Sequence, residues 1–438
     1  MRFDIGRFIP RGSMVLWITT LGSYILGLLR DRVLAHAFGA SSYLDSYYAA
    51  FLVPDFIFNV LVASGIAAAA VPLFAQLYTK SHKHAYEYMN SLLSAAVGTM
   101  IIAAIILFVF ASQLSGLVAP GLDASAHVLV TQMMRVLALS SILFAASNAF
   151  GAMLVAQKKF IFYGVSPILY NLGIVGGALV LAPSFGIMGV AYGTVFGAFL
   201  HMLVRCIDAL HSGWRFEIAL KWWRTAEMKQ TLRLMVPKMV GHPVDLVTFW
   251  LFTSLASLLA VGSITALNFA RNFQSVPVSM IGIAMSTAVF PALAEARLKS
   301  AQELRALLNR TAGVILVLSC LAALIMYALR YQIIAVLLGG GSFGSDAVAL
   351  TALTLGIFCL SIPTESLSHL FARAFYATQN TVTPVVFSVI GLLIAGGSAY
   401  MLMGKVGIAA LPLGFFLGSF VKTAGLWAMF LRTTANRQ

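Results

Sequence analysis

Long runs of apolar residues, separated by short polar stretches, dominate this chain. Many runs exceed the ~18 apolar residues that indicate a bilayer-spanning helix, and they are too long for the strands of a membrane β-barrel. Inside lipid, only a helix satisfies all of its backbone polar groups within one segment. The pattern therefore predicts an all-α polytopic membrane protein with about 12 transmembrane helices.

The predicted spans lie near residues 14–35, 44–78, 88–118, 126–157, 161–181, 186–208, 234–261, 265–295, 303–329, 345–378, 381–402 and 406–431. Several are longer than the ~20 residues of a straight crossing, so tilts or kinks are expected. Proline removes a helical hydrogen bond and clashes with the preceding turn. The predicted kink points are Pro54, Pro72, Pro277 and Pro363, with Pro54 and Pro277 as hinges.

Two stretches of the chain resemble one another at a constant offset, which predicts an internal duplication. Ala69–Ala75 recurs as Ala288–Ala294, so that Pro72 and Pro291 are 219 positions apart (291 − 72). We predict two six-helix repeats around a central cavity, residues 1–212 and 234–438, with residues 213–233 as a cytoplasmic interfacial linker. Parallel repeats of this kind are typical of transporters that bind substrate between their halves.

Charge placement predicts the orientation. The formal net charge is +14, yet only 10% of residues are charged and mean hydropathy is +0.93. Lys and Arg cluster in alternate connections between the spans, which indicates topogenic charge rather than a nucleic-acid surface. Both termini and the connection 205–238 are therefore predicted to be cytoplasmic, and no nucleic-acid partner is expected.

Signatures of catalysis and of cofactor binding are absent from the sequence. Gly339–Gly344 lacks the Lys of a phosphate-binding loop, and Cys206, Cys320 and Cys359 have no metal-ligand spacing. No His pairs with Cys or an acid at metal spacing. We therefore predict a protein that is not an enzyme and that uses no metal or cofactor.

Charged residues within apolar spans are functional candidates, because they are costly in lipid. They are Arg30, Asp31, Asp45, Asp55, Arg135, Asp245, Arg271, Glu365, Arg373 and Lys422. For Lys422 we expect snorkelling to the cytoplasmic interface, and for Glu365 and Arg373 a structural pair. Arg30, Asp45 and Asp55 are predicted to line a cavity, where Arg suits an anionic substrate because it binds phosphate through two hydrogen bonds.

Four stretches resemble the lipid II flippase family (MurJ, also called MviN) of the multidrug/oligosaccharidyl-lipid/polysaccharide exporter superfamily. They are Ser23–Asp31 with Phe38–Ala40 and Asp45–Pro54; Gln157–Phe160 with Ser166–Asn171; Pro277 with Gly282–Pro291; and Arg373–Ala377 with Thr381–Val385. The resemblance implies a fourteen-helix V-shaped fold with an electropositive cavity. Since the chain accounts for about twelve helices, the family's last pair, which forms a lipid-tail groove, is expected to be absent.

The resemblance also implies a function and a site. It implies outward flipping of a polyprenyl-pyrophosphate-linked peptidoglycan precursor, lipid II, across the bacterial plasma membrane by alternating access. An essential family Arg falls on Asn272, one position from Arg271. The predicted substrate-binding residues are Ser23, Arg30, Asp31, Asp45, Asp55, Arg271 and Asn272. Asp45 and Asp55 are expected to pair with the arginines in the empty state.

Two alternatives remain open. One is a cation-coupled exporter of drugs, metabolites or other lipid-linked oligosaccharides, with Asp31, Asp45 or Asp55 as the proton or sodium site. The other is a membrane scaffold that does not transport. The expected partners are lipid II or a related glycolipid and membrane lipids, with a coupling cation or the membrane potential as the source of energy.

Overall fold

The computed structural model describes residues 11–241 and 243–435, and within them the chain is helical. The first helices are α1 Arg11–Phe38, α2 Ser42–Phe58, α3 Ser64–Lys80, α4 His82–Val118, α5 Ala124–Ala156, α6 Ile161–Gly176, α7 Ala182–Phe185 and α8 Ile187–His211. Short π-helical segments, Asn59–Ala63 and Gly177–Leu181, join α2 to α3 and α6 to α7. In the described part the only β-type pairing is one isolated bridge between Gly340 and Phe343.

The remaining helices follow a 3₁₀ turn at Trp222–Arg224. They are α9 Ala226–Gly241, α10 Pro243–Ser257, α11 Ser263–Pro277, α12 Ala284–Lys299, α13 Ala301–Leu337, α14 Ser345–Phe358, α15 Ser361–Ala377, α16 Val382–Val406 and α17 Ala410–Ala435. A π-helical segment, Val278–Ile283, joins α11 to α12, and a 3₁₀ turn, Gly407–Ala409, precedes α17.

The predicted class, an all-α polytopic membrane protein, is confirmed. Among the described residues, 8 helices are long and apolar enough to cross a membrane, or 9 if the bent pair α14 and α15 forms one span. One of the eight, Val382–Arg432, runs through both α16 and α17 over 51 residues. The predicted number of about 12 is consistent with this helix order and remains a prediction.

The chain divides into two compact units. Unit 1 comprises Met1–Phe38, Ser46–Val118 and Asp123–Pro243, and unit 2 comprises Gly39–Asp45, Ala119–Leu122 and Val244–Gln438. Each has its own apolar core: that of unit 1 is centred on α3, α4, α5 and Trp214, and that of unit 2 on α12, α13, α15 and α17. This division falls after Pro243, whereas the sequence predicts domain limits at 212 and 233.

Helix lengths, helix caps and backbone angles recur along the chain at an offset of about 220 residues. Helices α4 and α13 both contain 37 residues and begin 219 positions apart (301 − 82). Ser81 and Ser300 precede them, and each Oγ accepts a hydrogen bond from the backbone N–H three residues later, at 3.3 and 3.0 Å. The unusual φ of 57° at Gly186 recurs as 58° at Gly407, 221 positions later (407 − 186). The predicted duplication is therefore present in the structure.

Proline placement explains most of the interruptions. Pro277 ends α11 and is followed at once by the π-helical segment, and the segment after α2 begins five residues beyond Pro54 (59 − 54). A bend of 44° separates α14 from α15. It lies just before Pro363, whose ring would clash with the carbonyl of Cys359 in a continuous helix. By contrast, α3 continues through Pro72.

A substitution at Gly186 tests the strained turn between α7 and α8. Gly186 has φ 57° and ψ −145°, a conformation available essentially only to glycine. An added Cβ would have no neighbour within 4 Å, so the effect of Gly186→Ala is conformational. We expect a loss of about 1–3 kcal/mol in unfolding free energy, measured by denaturation of the purified protein in detergent.

The matched control is Gly397→Ala, at a helical position in α16 that is also open around the Cβ. Alanine there is favoured over glycine by about 0.5–1 kcal/mol, so this variant should be at least as stable as the parent. Equal stability of the two variants would contradict the strain assigned to Gly186.

Candidate functional site

The guanidinium of Arg30 forms the centre of the candidate site in unit 1. Its Nε and Nη2 both donate to Asp31 Oδ1, at 2.9 and 2.7 Å, and its Nη1 donates to Asn171 Oδ1 at 3.1 Å. The side chain of Arg30 is 25% exposed, and that of Asp31 is 4% exposed. A guanidinium has five N–H donors, and three serve in these bonds. Two N–H groups thus remain to bind an anion at the exposed part of the side chain.

Asn171 holds Arg30 in place from helix α6. Asn171 Nδ2 donates to the carbonyl oxygen of Pro167, one turn earlier, at 3.1 Å. That bond orients the side-chain amide so that its oxygen faces Arg30. Asn171 belongs to one of the stretches that resemble the family, but it is not among the predicted site residues. No sequence pattern links Asn171 to Arg30, because the two residues are 141 positions apart and only the fold brings them together.

Aromatic side chains of α2 lie near the same guanidinium. Tyr47 and Tyr48 lie within electrostatic range of Arg30. The Tyr47 hydroxyl shares a hydrogen bond of 3.0 Å with Thr194 Oγ1, and its ring packs edge-on against Phe51. These contacts place a rigid aromatic wall beside the charged pair.

Asp45 occupies a different environment from the one predicted. It is only 2% exposed and lies in unit 2, where its carboxylate accepts bonds from Gly262 N at 2.7 Å, Thr265 N at 2.8 Å and Thr265 Oγ1 at 2.6 Å. Gly262 is the N-cap of α11 and has no side chain to bind the exposed N–H groups of the first turn. Asp45 therefore serves as the capping carboxylate of a helix distant in sequence, and this favours a structural role.

The predicted pairing of Arg30 with Asp45 or Asp55 is wrong for this structure, because Arg30 is paired with its neighbour Asp31. Asp55 is exposed on α2, directly after the buried Pro54. Ser23 is half-buried on α1, about two turns before Arg30.

Arg271 and Asn272 lie half-buried on α11 in unit 2. The Arg271 Cζ lies 3.0 Å from the centre of the Phe249 ring, a cation–π contact with helix α10. Because successive residues of a helix point about 100° apart, Asn272 does not share this contact direction. The Arg271 guanidinium therefore packs on the face of the Phe249 ring.

A second group of charged side chains lies in unit 2 and corrects two expectations. Lys422 does not snorkel: its side chain is 14% exposed, and its Nζ lies 3.8 Å from Asp245 Oδ1. The expected pair of Glu365 with Arg373 is also absent. Glu365 Oε1 lies 4.0 Å from His369 Nε2, and Arg373 Nη1 donates to the carbonyl oxygen of Ile283 at 3.0 Å.

A small cavity of about 30 Å³ adjoins this group, and Asp245, Thr248, Glu365, Ser388, Ser419 and Lys422 line it together with apolar residues. A space of this size accommodates about one water molecule. Sequence reasoning places Asp245 and Lys422 among the candidates but cannot pair them, since they lie on α10 and α17.

Arg205, predicted to be part of the cytoplasmic basic connection, is instead buried in unit 1 at 5% exposure. Its Nε donates to Ser166 Oγ at 2.8 Å, and its other nitrogens donate to the carbonyl oxygens of Ser147 and Tyr163. The guanidinium also lies 4.4 Å from the centre of the Tyr163 ring. Arg205 therefore joins α5, α6 and α8.

Comparison with solved structures identifies the class. The fold matches a structure described as lipid II flippase MurJ, inward closed conformation, with TM-score 0.83 and 21% identity, covering 97% of this chain and 90% of that one. It also matches an inward-facing multidrug resistance MATE family transporter of the MOP superfamily, with TM-score 0.76, 14% identity and 94% of each chain covered. The chain therefore shares the fold of these two proteins.

Comparison with sequences identifies the family. The family model described as lipid II flippase MurJ matches residues 34–436. The lipid II flippase MurJ of Burkholderia cenocepacia is 25% identical over 409 residues, 91% of this chain and 79% of its own length. A probable lipid II flippase MurJ of Haemophilus influenzae is 27% identical over 395 residues, 85% of this chain and 77% of its own. The chain belongs to the lipid II flippase MurJ family.

Proposed function

We propose that this protein flips lipid II, a polyprenyl-pyrophosphate-linked peptidoglycan precursor, across the bacterial plasma membrane. Membership of the lipid II flippase family supports the substrate class. The observation that carries the site is the Arg30 guanidinium, which is held by Asp31 and Asn171 and retains unused donors at its exposed part. Arginine binds phosphate oxygens through two parallel hydrogen bonds, which suits a pyrophosphate.

Asp31 acts in this mechanism as the resident counter-ion of Arg30. A buried positive charge without a partner is strongly unfavourable, so the empty site keeps Asp31 on the guanidinium. An arriving pyrophosphate binds the two N–H groups that Asp31 and Asn171 leave unused, so Asp31 stays on the guanidinium. The headgroup can then bind and leave without breaking the Arg30–Asp31 pair at either stage.

Energy for directional movement comes from the membrane potential in this proposal. A charge that crosses the field contributes about 2.3 kcal/mol per 100 mV. The headgroup and the charged side chains reorient together, by alternating access, from the cytoplasmic to the outer leaflet. The predicted orientation, with both termini in the cytoplasm, sets this direction.

Translocation by the purified protein tests the proposal. The protein is reconstituted into liposomes with a fluorescent lipid II, and headgroup accessibility to an external quencher is followed while a membrane potential of either sign is imposed. We expect protein-dependent translocation whose rate changes with the sign of the potential. Binding without translocation, with no complementation of a flippase-depleted strain, would instead support the scaffold alternative.

Cation-coupled export is the second candidate, and the group around Lys422 in unit 2 favours it. Buried titratable side chains within membrane helices commonly form ion or proton pathways. Lys422 and Glu365, at 14% and 15% side-chain exposure, form such a group together with the partly exposed His369 and the exposed Asp245. In the same liposomes, a pH or sodium gradient at zero potential would then drive transport, whereas the flippase proposal expects no effect of either gradient.

Cysteine labelling in intact cells tests the predicted orientation. In a background without Cys206, Cys320 and Cys359, Ser184→Cys and Val261→Cys place an exposed thiol in each of two predicted external connections. We expect both to react with an impermeant maleimide added outside. Leu298→Cys, at 85% exposure in a predicted cytoplasmic connection, is the control and should react only after lysis. The opposite labelling pattern would reverse the orientation and the transport direction.

A further inference from the structure

Unit 1 contains an apolar groove of about 890 Å³ beside the connection of residues 212–225, which joins α8 to α9. Its walls come from α4, α5, α8 and this connection, and they include Ile101, Phe150, Met202, Trp214 and Trp222. Among the described residues that line the groove, none is charged. The groove therefore suits hydrocarbon rather than a polar ligand.

The connection is fixed against helix α4 by side-chain hydrogen bonds. Trp214 Nε1 donates to Asn90 Oδ1 at 2.9 Å, and Asn90 Nδ2 donates to the carbonyl oxygen of Arg215 at 3.0 Å. Farther along, Ala219 N donates to Ser94 Oγ at 3.1 Å. The buried Trp214 ring packs edge-on against Phe150 at 5.2 Å. These bonds fix the connection against α4, so the groove beside it is part of the folded structure.

Apolar side chains on the connection are exposed in a regular order. Phe216, Ile218 and Leu220 are 59%, 67% and 75% exposed, and all three line the groove. They lie on a stretch without regular secondary structure, and Ala219 between them lines the groove as well. Trp223, which also lines the groove, is half-exposed. Exposed aromatic residues of this kind are typical of the membrane interface.

The same connection also carries basic side chains. Arg215, Lys221 and Arg224 are exposed along the connection, and Glu217 is the one acid between residues 215 and 224. Basic residues at a membrane interface attract anionic lipid headgroups. Hydrocarbon walls with a basic edge match an amphiphile that has an anionic head and apolar tails.

We propose that this groove is a binding site for an anionic phospholipid, with its acyl chains between α4, α8 and the connection and its phosphate at Lys221 and Arg224. The lipid stabilises the connection that leads from α8 to α9. A phospholipid fits better than the transported substrate, because the groove has no charged lining by which a pyrophosphate could move inward. The buried pair of Arg30 and Asp31 does not line the groove.

Lipid retention and thermal stability test the proposal independently of transport. The delipidated protein in detergent is supplied with phosphatidylglycerol or phosphatidylcholine, and native mass spectrometry and the thermal unfolding midpoint are recorded. We expect phosphatidylglycerol to be retained preferentially and to raise the midpoint more. Glycerol 3-phosphate, which has the anionic group without tails, should do neither. Equal effects of the two phospholipids would overturn the proposal.

Two sets of variants separate the headgroup contact from the tail contact. Lys221→Gln combined with Arg224→Gln should weaken phosphatidylglycerol retention about 30-fold, at ~1 kcal/mol for each basic residue, and leave phosphatidylcholine unchanged. Gly98→Leu should reduce retention of both lipids, since Gly98 lines the groove and an added Cβ there meets no atom within 4 Å. The new side chain fills the space of an acyl chain without a clash.

Gly116→Leu is the matched control, because it lies on the same helix α4, is equally open and is not part of the groove. It should leave retention unchanged. If Gly98→Leu retains lipid as Gly116→Leu does, the acyl chains lie elsewhere and the proposal is wrong. Displacement of phosphatidylglycerol by an equimolar polyprenyl phosphate would assign the groove to the polyprenyl tail instead.

Discussion

Arg30→Ala is expected to abolish complementation of a flippase-depleted strain. The substitution removes the fork that we propose to bind the pyrophosphate, and it breaks the buried ion pair with Asp31. Breaking a buried ion pair on one side costs about 3–5 kcal/mol, so we expect lower membrane levels as well. Arg30→Lys should complement weakly, because an ammonium lacks the planar pair of donors.

The double variant Arg30→Gln with Asp31→Asn separates the binding role from the structural one. Two neutral amides avoid the unpaired charge, so membrane levels should return towards those of the parent. Complementation and lipid II binding should remain absent, because no guanidinium is present. If the double variant complements, Arg30 acts only as the counter-ion of Asp31, and the proposed pyrophosphate contact is incorrect.

Asp45→Ala is expected to cause a large loss of stability. The substitution leaves two backbone N–H groups and one hydroxyl without the acceptor that binds them at 2.6–2.8 Å. Hydrogen bonds to a charged group contribute about 1.5–3 kcal/mol each. Allowing for non-additivity, we expect a loss of about 3–5 kcal/mol, measured as the unfolding free energy of the purified protein in detergent.

Two further variants define the origin of that loss. Asp45→Asn can keep an oxygen at Oδ1, which accepts both bonds from Thr265, but it turns an NH₂ towards Gly262 N, so it should lose less stability than the alanine variant. Asp346→Ala removes an exposed acid from the first turn of α14 and should change stability little. If the Asp45→Asn variant is as stable as the parent but fails to transport, Asp45 acts in the cavity and not as a helix cap.

The transmembrane pattern could be predicted because lipid constrains the chain locally. A bilayer excludes unpaired backbone groups, so each span must be a helix with its own apolar stretch. Each such stretch can be recognised as a continuous run in the sequence. The duplication is readable for the same reason. Pro72 and Pro291 occupy equivalent helices α3 and α12, and the turn glycines Gly186 and Gly407 repeat the same backbone angles.

The partners of the charged side chains could not be predicted in this way. Helical periodicity gives the face on which a residue lies but not the helix that packs against that face. The sequence analysis consequently pairs Arg30 with distant acids and expects Lys422 at the interface. In the structure Arg30 binds its neighbour Asp31, and Lys422 lies beside Asp245.

The membrane-spanning helical class, the duplicated order of helices and the candidacy of Arg30 could be inferred from the sequence, because they depend on local hydropathy and on residue type. The role of each buried charge depends on the packing of the helices. Asp45 and Gly262 are 217 residues apart, and Arg30 and Asn171 are 141 apart. Such pairs arise from packing between helices, where a buried charge is stable only if the fold brings its partners to within hydrogen-bonding distance.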